Sequence, residues 1–263
     1  MTVSPLEHFL IGQLFTILLI FTRVGTGLMF MPFFGERVVT GRARLLMALA
    51  IAVTLAPVFE PVMPKVPASP FSLAVLLVAE SLVGASIGMV CRFLISVMHI
   101  AGMIISVQSS LAVASQFDPT QAGQGSLIGN FLSMAAVVFL IATDMHYVML
   151  RGLADSYSLF TPGAFPPVED LAQYFSTLTS SIFLVSLKLS APVVVIGLIV
   201  YIGGGVLTRL MPNLQIFFII LPAQIALTFF IMIGTFAAMM LSFGDYYAAT
   251  FSDFLKLDGY TGF

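Results

Sequence analysis

The chain has 263 residues, is 59% hydrophobic and only 8% charged, and carries a net charge of −2 with a mean hydropathy of +1.09. A soluble domain has about 25% charged residues, so the 10 basic and 12 acidic residues here cannot cover a globular surface, and the composition points to a polytopic membrane protein. A disordered chain, a disulfide scaffold (Cys91 is the single cysteine) and a nucleic-acid-binding surface (there is no basic run) are excluded.

Seven stretches are apolar enough to be weighed as membrane helices: residues 9–34, 45–59, 71–90, 93–115, 127–150, 182–207 and 214–243. About 20 such residues cross the hydrocarbon, and helix is the default because an open strand cannot satisfy its backbone in lipid. The first stretch lies behind Glu7, has its first basic residue at Arg23 and is too long for a signal-peptide core, so a retained helix is expected. Arg23, Glu80, Arg92, Asp144 and Lys188 lie within or beside the apolar runs and should face protein, water or an interface.

Residues 35–44 form the most basic connection, which the positive-inside rule puts in the cytoplasm. Seven spans then place the N-terminus outside and the C-terminus inside. Five prolines between Pro57 and Pro70 bar a helix there, and residues 161–167 (TPGAFPP) form a second break. Glu169 and Asp170 after it suit a helix N-terminus. Met211-Pro212-Asn213 is a tight link, so the last two helices should form an antiparallel hairpin.

Enzyme signals are weak. Gly84-Ala85-Ser86-Ile87-Gly88 matches a hydrolase elbow by letter, but an apolar helix offers no strand-to-helix turn. The same glycines, Gly84 and Gly88, form a G-x-x-x-G notch that lets two helix backbones approach. Gly203-Gly204-Gly205 lacks the Lys-Ser/Thr of a phosphate loop and suggests a weak point or a packing notch. His8, His99 and His146 lie on separate segments, so no metal site, and no cofactor, is expected. The 15 methionines and 25 phenylalanines fit ordinary core; Met also suits a surface that seals around varied partners, but no Met cluster is confined to one predicted face.

Glu80, His99 and Asp144 could form a proton relay, or the in-helix charges could be structural pairs. Glu80 and Arg92 are twelve residues apart and cannot pair along one straight helix, so each needs a partner from elsewhere. Residues 106–126 (SVQSSLAVASQFDPTQAGQGS) are small and amide-rich, with Asp118 their only charge. They fit either a surface loop or a segment lining a water-filled path.

Several motifs, in order, resemble one family. Arg23, Pro32 and Gly35-Glu36-Arg37 through Arg44 look like its first hairpin. Gln108 with Phe117-Asp118-Pro119 falls at its Gln and (F/V)DP signature, and His146, Pro162-Gly163, Pro192, the run Arg209-Leu210-Met211-Pro212-Asn213-Leu214-Gln215-Ile216-Phe217 and Pro222 continue the pattern. On these motifs the chain resembles the FliR/SctT family of type III secretion over nearly its whole length, with the first hairpin closer to the flagellar branch. The resemblance implies an all-α, polytopic membrane protein of long helical hairpins, with a FliP-like N-terminal part (1–167) and a FliQ-like C-terminal hairpin (168–263).

The implied function is a non-enzymatic core subunit of the flagellar export gate, in the bacterial inner membrane at the basal body. Its implied partners are FliP-like and FliQ-like subunits, an FlhB-like gate protein, membrane lipid and unfolded exported proteins. Much of such a gate stands above the bilayer plane, so charged helices would meet other subunits. The family's pore plug maps onto Ser106, Gln108, Ser109, Ser110, Ser115, Gln116, Phe117, Asp118, Pro119, Gln121 and Gln124. Subunit packing or ion pairing is expected of Arg23, Glu80, Gly84, Gly88, Arg92, Asp144, Lys188, Arg209 and Pro212. The equivalent injectisome subunit is the nearest alternative. A stand-alone solute or proton-coupled transporter is a more distant one, because no inverted repeat is found, and a membrane scaffold without a conduit is a third.

Overall fold

The computed structural model describes residues 5–36, 39–111, 126–211 and 216–256. Among these the chain forms α1 (Pro5–Phe30), α2 (Gly41–Phe59), a 3-10 turn (Glu60–Val62), α3 (Pro70–Gln108), α4 (Leu127–Ala142), α5 (Met145–Leu159), α6 (Val168–Leu210) and α7 (Ile216–Leu255), with no strand. The expected all-α polytopic class stands: among the described residues five helices are long and apolar enough to cross a membrane, or six if α4 and α5 make one span.

The division into seven spans needs correction. Residues 71–90 and 93–115 were expected as two segments, but α3 runs unbroken through Arg92 for 39 residues. Val90, Cys91, Arg92 and Phe93 include no glycine or proline, and one exposed charge leaves the backbone ladder intact. The stretch 127–150, expected as one helix, is instead α4 and α5, broken at Thr143-Asp144. Asp144 adopts a left-handed φ of 59°, which an Asp tolerates better than most residues. Alternating sides assigned from seven spans therefore do not carry over. Helix α2 also enters the proline-rich connection, with Pro57 in its last turn.

Several starts follow ordinary capping. Thr40 accepts from the Ala43 N–H at the head of α2, and Ser126 does the same for Gly129 in α4. Glu169 and Asp170 occupy the first turn of α6, and Arg209 its last, matching the helix dipole at both ends. Contacts between α6 and α7 run in opposite directions along the chain, so the expected antiparallel hairpin is present: Gly204 lies against Ile220, Ser181 bonds Tyr246 at 2.7 Å, and Tyr174 bonds the Thr250 carbonyl at 3.4 Å.

Two compact units interleave along the sequence. The first comprises Met1–Phe93, Asp144–Thr177 and Ala248–Phe263. Here α1 and α3 run parallel, and α2 turns its small stripe of Ala48, Ala52 and Ala56 inward, with Ala48 facing Gly25 of α1. The second comprises Leu94–Thr143 and Leu178–Tyr247. In it, Gly102 of α3 crosses Gly129 of α4 so closely that a Cβ on Gly102 would come 2.5 Å from the Gly129 Cα. Phe131 and Phe139 of α4 meet Phe236 and Gly244 of α7 in parallel register.

Candidate functional site

Two polar centres stand out in otherwise apolar surroundings, one in each unit. In the first unit, Arg23 of α1 and Glu80 of α3 are both buried, at 0% and 1% exposure. Arg23 Nε donates to Glu80 Oε2 at 2.6 Å and Nη2 to Glu80 Oε1 at 3.1 Å, a bidentate pair. Nη1 donates to the carbonyl and hydroxyl of Ser156, both at 3.3 Å, and Nη2 to the Phe160 carbonyl at 3.2 Å. The Gly163 N–H donates to Glu80 Oε1 at 3.1 Å. The Tyr157 ring covers the guanidinium, 3.9 Å from Cζ to ring centroid, and stacks on Phe59 at 4.4 Å.

This centre joins α1, α3, the end of α5 and the turn after it. The turn depends on Gly163, whose φ of +83° few side chains tolerate. Close approach of α1 and α3 depends on Gly84 and Gly88: a Cβ on Gly84 would strike the Arg23 carbonyl, and one on Gly88 would lie 2.5 Å from the Gly27 carbonyl. The G-x-x-x-G notch thus packs inside the chain, where it brings Glu80 within reach of Arg23. Both Glu80 oxygens are occupied by Arg23 and Gly163, an arrangement that favours a structural pair over a relay.

In the second unit the neutral centre lies at the C-terminal end of α3. Gln224 of α7, 1% exposed, donates through Nε2 to the Gln108 carbonyl. Its Oε1 accepts from the Ser110 hydroxyl at 3.2 Å, which also lies 3.3 Å from the Tyr201 hydroxyl of α6. The Gln108 side chain passes over Gly197 and donates to the Val194 carbonyl at 3.5 Å. Nearer the start of this unit, the buried Ser186 hydroxyl of α6 bonds the Val97 carbonyl of α3 at 2.9 Å.

Of the residues expected in a plug, Ser106, Ser109 and Ser110 are buried and Gln108 is half-buried. Ser115, Gln116, Phe117, Asp118, Pro119, Gln121 and Gln124 lie outside the described residues, as does Pro212. Arg92, Lys188 and Arg209 are exposed, and among the described residues none has an ion-pair partner. Asp144 is exposed at the α4–α5 bend. Sequence reasoning missed Ser156, Tyr157, Tyr201 and Gln224. A signal existed for Gln224, the only side-chain amide in the long apolar run from Ile216 onward.

Comparison with known proteins adds a lineage to this geometry. The sequence profile described as "Bacterial export proteins, family 1" matches residues 14–250. The chain belongs to this family. The matched export-protein region contains both polar centres, from Arg23 to Gln224. The chain is 33% identical to the flagellar biosynthetic protein FliR of Caulobacter vibrioides over 215 residues, covering 82% of this chain and 86% of that protein. It is 29% identical to the protein of that name from Bacillus subtilis, over 82% of this chain and 84% of the relative. For the Escherichia coli protein the figures are 27%, 86% and 84%.

Proposed function

We propose that the chain is a core, non-enzymatic subunit of the flagellar protein-export gate in the bacterial inner membrane. With FliP-like and FliQ-like subunits, and beside an FlhB-like protein, it forms the conduit for unfolded flagellar proteins. The observation that carries this reading is the export-family match over residues 14–250, together with relatives named for flagellar biosynthesis. Those names favour the flagellar use over the injectisome.

Helix length supports membership of an assembly that rises out of the bilayer. At 1.5 Å per residue, the 39, 43 and 40 residues of α3, α6 and α7 extend about 60 Å each, roughly twice the hydrocarbon thickness. Only 17% of the apolar window of α2 and 22% of that of α7 are buried within the chain, so lipid or other subunits must cover the rest. Exposed Arg92, Lys188 and Arg209 on such helices suit protein neighbours better than hydrocarbon.

In this reading residues 1–167 form a FliP-like part and 168–263 a FliQ-like hairpin, and the amide-rich stretch from Ser106 to Gln124 closes the conduit. The test is complementation: cells lacking their own copy of this subunit should recover secretion of flagellar proteins when given this chain. Normal assembly of the gate without any secretion would count against the conduit role.

A further inference from the structure

We infer that Gln224 is a positioning residue that fastens the C-terminal end of α3 to α6 and α7 through a neutral, releasable hydrogen-bonded catch with Gln108, Ser110 and Tyr201. If the export-gate reading above holds, loss of the catch should also raise the ion permeability of cells that make the assembly, whereas the catch itself rests on geometry.

A helix leaves its last carbonyls without intrahelical donors, and in apolar surroundings they need another partner. At the end of α3 that partner comes from α7, where the Gln224 amide donates to the Gln108 carbonyl. Two residues further on, Ser110 turns into the left-handed region with φ 59°. This turn accompanies a hydroxyl contact in which Ser110 donates to Gln224 Oε1, with Tyr201 of α6 beside it. One side chain therefore donates to one residue and accepts from another. A carboxylate could only accept and an aliphatic group could do neither, so an amide is the chemistry this position calls for.

The remaining contacts tighten the same turn. Ser109 N–H donates to the Ile105 carbonyl at 2.8 Å and Ser110 N–H to the Val107 carbonyl at 3.3 Å, while the Ser109 hydroxyl accepts from Leu111 N–H at 3.4 Å. Gly197 leaves room for the Gln108 side chain; a Cβ there would lie 2.6 Å from the Gln108 Cγ.

Every group in the catch is uncharged, in contrast to the Arg23–Glu80 centre. Opening the ion pair would strand a buried charge, whereas these amides and hydroxyls can exchange partners with water at small net cost. The centre in the second unit is therefore the easier of the two to open.

The experiment is hydrogen–deuterium exchange on the intact, solubilised assembly, paired with ion permeability of the cells that make it. Gln224→Leu should speed exchange of the Ser109 and Ser110 amides on the order of tenfold, leaving the Gly163 amide in the other unit unchanged. Ser110→Ala, a smaller change in case the first variant fails to assemble, should speed them roughly two- to fivefold. Adding Ser110→Ala to Gln224→Leu should add less than Ser110→Ala does alone, because the Ser110–Gln224 contact is already gone and only the Tyr201 contact is left to lose. Unchanged exchange in Ser110→Ala and Gln224→Leu, or a rise that includes Gly163 equally, overturns the catch whatever the permeability. Faster local exchange with unaltered permeability supports the catch and overturns its part in closure, which separates the two readings.

Discussion

Glu80→Ala isolates the energetics of the buried ion pair. The substitution leaves the Arg23 guanidinium at 0% exposure with only Ser156, Phe160 and the Tyr157 ring, and leaves the Gly163 N–H without its acceptor. Breaking one partner of a buried pair costs about 3–5 kcal/mol, and the lost Gly163 bond adds about 1 kcal/mol. A typical domain has only about 5–15 kcal/mol of stability in total, so Glu80→Ala should sharply lower both the thermal midpoint of the solubilised assembly and its level in membranes. Removing both charges in Arg23→Met/Glu80→Leu avoids the stranded ion, and such replacements are often near neutral. The double variant should therefore recover at least half of the loss. A double variant as damaged as Glu80→Ala, or a Glu80→Ala protein with wild-type stability, would refute the reasoning.

Other substitutions separate close packing from open surface. Gly84→Val should abolish accumulation in membranes on immunoblots, because its side chain would meet the α1 backbone at Arg23. Gly203→Ala, facing open space in α6, should be neutral or stabilise by up to about 1 kcal/mol, read from the thermal midpoint. Ser186→Ala should cost about 1 kcal/mol by the same readout, the scale of an interhelical hydrogen bond in a membrane bundle. Arg209→Ala should reduce co-purification of FliQ-like subunits with little change in overall abundance, since Arg209 is exposed at the end of α6. Removing residues 110–115 should raise small-solute leakage at equal complex abundance.

Much of the architecture was legible because its signals are local. The apolar runs, the acidic first turn of α6 and the Met211-Pro212-Asn213 motif act over a few residues, and they pointed to the helices and the final hairpin. Segment boundaries failed where local chemistry misleads. Arg92 looked like an interruption, yet a single exposed charge leaves α3 helical, whereas the turn at Thr143-Asp144 needs neither glycine nor proline. The charges at Arg23 and Glu80 were visible as residues needing partners, but their pairing joins positions 57 residues apart and depends on the parallel packing that Gly84 and Gly88 permit. Gln224 meets Ser110 across 114 positions, and no periodicity in one sequence encodes that distance.

The central claim is that this chain works as one subunit of an export assembly, so the mass of the particle it forms is the most direct measurement. The chain should be expressed with the FliP-like and FliQ-like subunits proposed as its partners, extracted in mild detergent and weighed by native mass spectrometry. The account predicts a stable hetero-oligomer several times the 28.3 kDa of the chain, containing both partner types. A stable 28.3 kDa monomer that leaves both partners behind would contradict it.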